Sequence, residues 1–189
     1  MNLSRILLSG ALALVLAPVF LASLHSAQAA PEDKAAAPVI VELFTSQGCS
    51  SCPPADRLLT RLGGDPGLAG RVIPLAFHVD YWNHIGWTDP FSAKRWSERQ
   101  QAYARAFKAN RIYTPQLVVN GRTEGVGSHE PRVRKQIADA LAREPAGRVS
   151  LGVETPAAGQ VRVKVGARLA RQARQETAGD LDAWVAVVE

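Results

Sequence analysis

Residues 39–44, Val-Ile-Val-Glu-Leu-Phe, are apolar at every position but one, the pattern of a strand covered on both faces. A polar turn, Thr45-Ser-Gln-Gly48, follows. Residues 53–62 then carry Leu58, Leu59 and Leu62 at the spacing of one helix face. After a Gly- and Pro-containing loop at 63–70, residues 72–80 form a second apolar run with strand character. Residues 90–110 predict an amphipathic helix, with Trp96, Tyr103 and Phe107 among Arg, Lys and Gln. The run 113–121 reads as a strand ending in an Asn-Gly turn, and 122–126 as its hairpin partner. Ser128, Glu130 and Pro131 mark the start of a helix over 128–144. Beyond a Pro/Gly break at 145, short runs at 149–153, 160–165 and 182–188 predict strands, the middle one alternating as a half-buried antiparallel strand does. Residues 168–180 are expected to be solvated or partly helical.

The predicted order is βαβ, then α, then ββα. Two strands joined by a helix form a parallel pair, and the later hairpin adds antiparallel strands. The expected fold class is therefore α/β, a thioredoxin-like fold with a central mixed sheet flanked by helices and a small C-terminal β appendage packed against it. Four segments are expected: a signal peptide over 1–29, a tether over 30–38, the thioredoxin-like domain over 39–144 and a C-terminal β extension over 145–189. The leader reading rests on Arg5, the apolar run 6–24 and the small-x-small site Ala27-Gln28-Ala29. It predicts a periplasmic or secreted protein, with membrane contact only through that segment if it is left uncleaved.

The sequence has 2 cysteines, and both lie in Cys49-Ser-Ser-Cys52, between the first strand and the first helix. A thiolate at a helix start faces unpaired N–H groups and the positive end of the helix dipole, which lowers its pKa. Cys49 is the expected attacking sulfur and Cys52 the resolving one. Pro53 and Pro54 suit the first helical turn, where a missing N–H costs little. In an oxidising compartment such a pair is either redox-active or a staple, and a staple closing so short a loop gains little. A third reading is a Cu(I) or zinc metallochaperone that adds one of His78, His84 or His129 to the two thiolates. A fourth is a non-enzymatic envelope binding module with a structural disulfide. No cofactor is called for, and no histidine spacing assigns a metal ligand.

Other candidates surround the pair. Glu42 on the first strand is either a partly buried carboxylate relaying a proton to Cys52 or a solvated edge-strand acid. Asp56 in the first helical turn complements the dipole. His78, Asp80, Trp82, Asn83, His84 and Trp87 cluster after the second strand, on the edge where ligands bind open sheets. They form either a substrate-facing lid, with Trp82, Asn83 and Trp87 in contact with substrate, or a plug of tryptophans beneath the connection with histidines as ordinary loop residues. His129, just before a helix, is expected on the surface. The formal net charge of +5 comes from scattered arginines, which argues against a nucleic-acid site.

Two segments carry a resemblance. Tyr113-Thr-Pro-Gln-Leu-Val-Val-Asn-Gly121 resembles the Pro-containing segment of glutaredoxin- and DsbA-like proteins. That resemblance implies Pro115 as a cis-proline facing the disulfide, with the Thr114 backbone pairing to an incoming peptide. The run from Val41 to Asp56, Val-Glu-Leu-Phe-Thr-Ser-Gln-Gly-Cys-Ser-Ser-Cys-Pro-Pro-Ala-Asp, together with His78-Val-Asp-Tyr-Trp-Asn83, resembles a family of secreted thioredoxin-like proteins known as domain of unknown function 1223. The resemblance implies the fold without a substrate, and relative to that family the C-terminal extension is expected to be incomplete. The function expected is thiol–disulfide exchange with protein thiols and disulfides, served by an unidentified recycling partner and carried out by a monomer.

Overall fold

The computed structural model describes residues 37–170. The expected leader, most of the tether and the run at 182–188 lie outside the described residues. Four strands form the main sheet: β1 (Val39–Thr45), β2 (Val72–His78), β3 (Gln116–Val119) and β4 (Thr123–Val126), in the order β2-β1-β3-β4. β1 runs parallel to β2 and antiparallel to β3, and β4 is antiparallel to β3. Among the described residues three α-helices accompany them, α1 (Pro53–Gly63), α2 (Lys94–Ala106) and α3 (Glu130–Leu141). This is a thioredoxin-like α/β fold. A separate two-stranded sheet pairs β5 (Gly147–Ala157) with β6 (Gln160–Leu169).

Alternation along β1 divides the core. Val39, Val41 and Leu43 pack with Leu58, Leu59 and Leu62 of α1 and with Val133 and Ile137 of α3. Phe44 points the other way, joining Val79 and Val118 and drawing in Phe77, Trp82 and Tyr103. β1 is therefore covered on both faces, as its nearly unbroken apolar run requires.

The ends of several elements differ from the sequence expectation, for local reasons. Asp89 takes the Phe91 N–H on its side chain and the Ser92 N–H on its backbone carbonyl, which turns the chain and delays α2 to Lys94. Lys108, at φ 55°, then ends that helix region before residue 110. His129 is exposed just before a helix, as expected, and its ring accepts the Arg132 N–H to cap α3. Asn120 and Gly121 both have positive φ, the geometry that a two-residue hairpin turn needs. β6 corrects the half-buried expectation for residues 160–165: Val161, Val163 and Val165 are exposed, as are Val149, Leu151 and Val153 of β5.

Candidate functional site

Cys49 and Cys52 form a disulfide with a Cα–Cα distance of 5.4 Å, at the end of β1 that leads into α1. Turns set this position: the Cys49 N–H donates to Ser46 O and the Cys52 N–H to Cys49 O. Cys52 is the N-cap of α1, and the helix begins with Pro53 and Pro54. Cys49 thus lies one turn before the helix and not in its first turn. Two of the N–H groups that a helix start would offer are missing with the prolines, and those of Ala55 and Asp56 donate to Cys52 O. Side-chain hydroxyls, and not the N–H groups of the helix start, face the Cys49 sulfur. Thr114 Oγ1 donates to Cys49 Sγ at 3.2 Å, and Ser51 Oγ lies 3.5 Å from the same sulfur. Both cysteines are buried, Cys49 at 2% exposure and Cys52 at 0%.

The Thr114–Pro115 peptide bond is cis, and Thr114 O faces Ser51 Oγ at 3.5 Å. A buried amide network anchors this segment. Gln100 Nε2 donates to Tyr113 O at 2.7 Å and to Gln116 Oε1 at 2.9 Å, and Gln116 Nε2 donates to Glu124 at 3.1 Å. The Tyr113 hydroxyl also donates to Glu124, and burial followed by that carboxylate raises the phenol's pKa.

The two tryptophans of the loop after β2 take different positions. Trp82 turns inward against the Phe44 cluster, and its indole N–H donates to Thr114 Oγ1 at 2.8 Å. Trp87 stays 57% exposed and donates to Gln47 Oε1 at 2.9 Å, beside the turn that leads to Cys49. Asn83 braces the loop itself, donating to Ser92 Oγ and accepting from the Asp89 N–H, so both ends of its amide are engaged within the loop. Asp89 is the hub. It accepts the Gln47 N–H at 2.8 Å and pairs with His78 Nδ1 at 2.6 Å. Burial pushes its pKa up, but the N–H donors of Gln47 and Phe91 and the histidine outweigh burial and hold it below the ordinary value.

Residues 40–189 match the family described as "Protein of unknown function (DUF1223)". The chain belongs to the DUF1223 family. It is also similar to the crystal structure of protein AGR_C_4864 from Agrobacterium tumefaciens, with a TM-score of 0.55 and 40% sequence identity. That match covers 68% of this chain and 55% of the other, so the matched part spans little more than half of that protein's length. No curated protein matches this chain.

Within this DUF1223 chain, the candidates Cys49, Cys52, Thr114 and Trp82 come together, with Pro115 adjoining. Glu42 does not join them. It is 3% exposed on the α2 face of β1, where Arg99 pairs with it and the Tyr103 hydroxyl donates to it. The carboxylate is buried, which corrects the solvated-edge reading, and its hydrogen bonds run to Arg99 and Tyr103 and not to Cys52. Asp56 accepts from Thr45 Oγ1 at 2.7 Å in the first turn of α1. His84 binds Tyr81 O, and among the described residues no group of three or more His, Cys, Asp or Glu side chains stands together as a metal site would need. Sequence reasoning missed Gln47, Asp89 and Gln100. Only Asp89, set before Pro90, carried a local signal, that of a turn residue.

Proposed function

We propose that this DUF1223 protein is an exported thiol–disulfide oxidoreductase that exchanges electrons with protein thiols. The observation that carries the reading is the Thr114 hydroxyl on Cys49 Sγ, at a disulfide set between the start of α1 and the cis-Pro115 segment. A structural staple across so few residues gains little stability and has no use for a polar donor on one sulfur. The apolar leader run and its small-x-small site support export, to an environment where such a disulfide persists.

In the reaction, a substrate thiolate attacks Cys49 Sγ. The Cys49–Cys52 bond breaks, Cys52 leaves as a thiolate and a Cys49–substrate disulfide forms. A second substrate thiolate then attacks the substrate sulfur, Cys49 departs as a thiolate and the substrate disulfide closes. Two electrons pass to the protein, and the substrate's thiol protons go to solvent or to the new thiolates. A recycling partner removes those electrons, and the same atoms run the reaction in reverse when reduced protein meets a substrate disulfide.

Trapping tests this reading. Cys52→Ser expressed with its leader is expected to accumulate reducible mixed disulfides with envelope proteins through Cys49, whereas Cys49→Ser accumulates none. Equal trapping by both variants, or by neither, contradicts the proposal. Burial of both cysteines favours one other reading, a binding module whose disulfide is inert. That module retains its partner in a Cys49→Ser/Cys52→Ser double variant, and an oxidoreductase does not.

A further inference from the structure

The helix that follows the disulfide is poorly equipped to stabilise a thiolate. Pro53 and Pro54 bring no N–H, and the N–H groups of Ala55 and Asp56 are directed at Cys52 O at 2.8 and 3.1 Å. Burial of Cys49 raises the cost of charging its sulfur further. The groups that reach Cys49 Sγ are side-chain hydroxyls, Thr114 Oγ1 at 3.2 Å and Ser51 Oγ at 3.5 Å, and Thr114 is the better placed to donate.

A threonine hydroxyl has one proton to give and two lone pairs to receive, and it rotates to suit its neighbours. An indole N–H can only donate. With Trp82 Nε1 at 2.8 Å from Thr114 Oγ1, the direction of that hydrogen bond is therefore fixed, and one hydroxyl lone pair is occupied. The threonine proton must point away from the indole; Cys49 Sγ stands at 3.2 Å to receive it, with the Tyr81 oxygen as the competing acceptor. Packing holds the indole in place: Trp82 lies against the Phe44, Val79 and Val118 cluster, and its Cβ and carbonyl crowd Gly48.

We infer that Trp82 is a positioning residue for the redox centre, acting through Thr114: its indole N–H orients the Thr114 hydroxyl so that the hydroxyl donates to the Cys49 sulfur and stabilises it as a thiolate. The inference rests on the thiol–disulfide reading of the site and assigns its tuning to a side-chain relay where a helix start would ordinarily supply it. The relay acts when Cys49 leaves a mixed disulfide, or when it attacks a substrate disulfide, because in both steps charge stands on Cys49 Sγ. The ionisable groups around it are few. Tyr81, in the loop beside Trp82, has its pKa raised by burial, against the opposing hydrogen bonds of Thr114 and Gln100, and donates to Gln100. From α1 come Cys52 itself and Asp56, which is bonded to Thr45; from the loop side comes the His78–Asp89 pair, tied to the backbone at Gln47.

The test follows alkylation of Cys49 in the fully reduced protein across pH, read by the mass of the Cys49 peptide. Thr114→Val, which keeps the shape and deletes the hydroxyl, is expected to raise the midpoint by about one unit, a tenfold loss of thiolate at acidic pH. Thr114→Ser restores the profile to within about twofold, a rescue that a purely structural role does not predict. Trp82→Phe keeps an aromatic ring, frees the hydroxyl to rotate and is expected to lose about threefold. In the Thr114→Val background Trp82→Phe adds nothing, because its effect runs through the hydroxyl. A wild-type profile in Trp82→Phe, or an effect that adds in full to that of Thr114→Val, overturns the inference. Should Trp82→Phe fail to fold, the indole N–H resonance of Trp82 decides the matter: it is expected to move in Thr114→Val and on reduction of the disulfide, and a resonance unmoved by both overturns the inference. None of these readouts uses a substrate. A protein that shows the Thr114- and Trp82-dependent profile yet traps no partner refutes exchange alone, and one that traps partners with a profile indifferent to both residues refutes the relay alone.

Discussion

Glu42 is a charge inside a sheet, and its neighbours account for its presence. Arg99 and Tyr103 reach it from α2, with the guanidinium also lying 5.4 Å from the centres of the Phe77 and Tyr103 rings. Removing one partner of a buried pair leaves the other charge uncompensated, at a cost of about 3 kcal/mol for Arg99→Met, discounted to about 2 because the arginine is partly exposed. Chemical denaturation of Arg99→Met and Glu42→Gln measures this, with the arginine variant the less stable. The same Glu42→Gln protein is expected to keep the wild-type Cys49 alkylation profile, and a shifted profile would restore the proton-relay role. Asp89 makes a pH-dependent contribution. Its folded pKa lies below its unfolded value, so its stabilisation is complete above the unfolded value of about 3.9 and is lost as pH falls through the folded one. Asp89→Asn is therefore expected to lie about 1–3 kcal/mol below wild type at pH 7, with the gap closing below about pH 4. A gap equally wide at pH 3 contradicts the assignment.

At the scale of elements, much of the layout is legible in the sequence because each element carries its own pattern. β1 announces double coverage by its apolar run, α1 by its leucine spacing and the β3–β4 turn by Asn120-Gly121. Legibility fails where distant residues decide. α2 starts late because Asp89 bonds Phe91 and Ser92, and the alternation in residues 160–165 suggests a covered side that β6 does not have. The relay at Cys49 joins residues 65 and 32 positions apart, a separation that no local pattern encodes. Gly127, between β4 and α3, offers a test of how closely these elements meet. A Cβ there would stand 2.7 Å from Leu43 Cδ1 and 3.2 Å from the Ala55 Cβ, between β1 and α1. Gly127→Ala is expected to destabilise the protein by about 1–3 kcal/mol in denaturant unfolding, and a change under about 0.5 kcal/mol contradicts the packing described.

Across the whole molecule, the buried hydrophobic residues among those described fall between Val39 and Ile137, while β5 and β6 leave their apolar side chains exposed. The disulfide belongs to the first of these regions, held between the start of α1, the loop after β2 and the segment before β3. Its chemistry decides the account. The most direct measurement equilibrates the purified protein in glutathione buffers and follows the Cys49–Cys52 state by thiol alkylation and mass. A single reversible two-electron transition within the cellular range, roughly −320 to −180 mV, is the expected result. A pair that remains a disulfide in every buffer contradicts the redox reading and leaves a structural staple in its place.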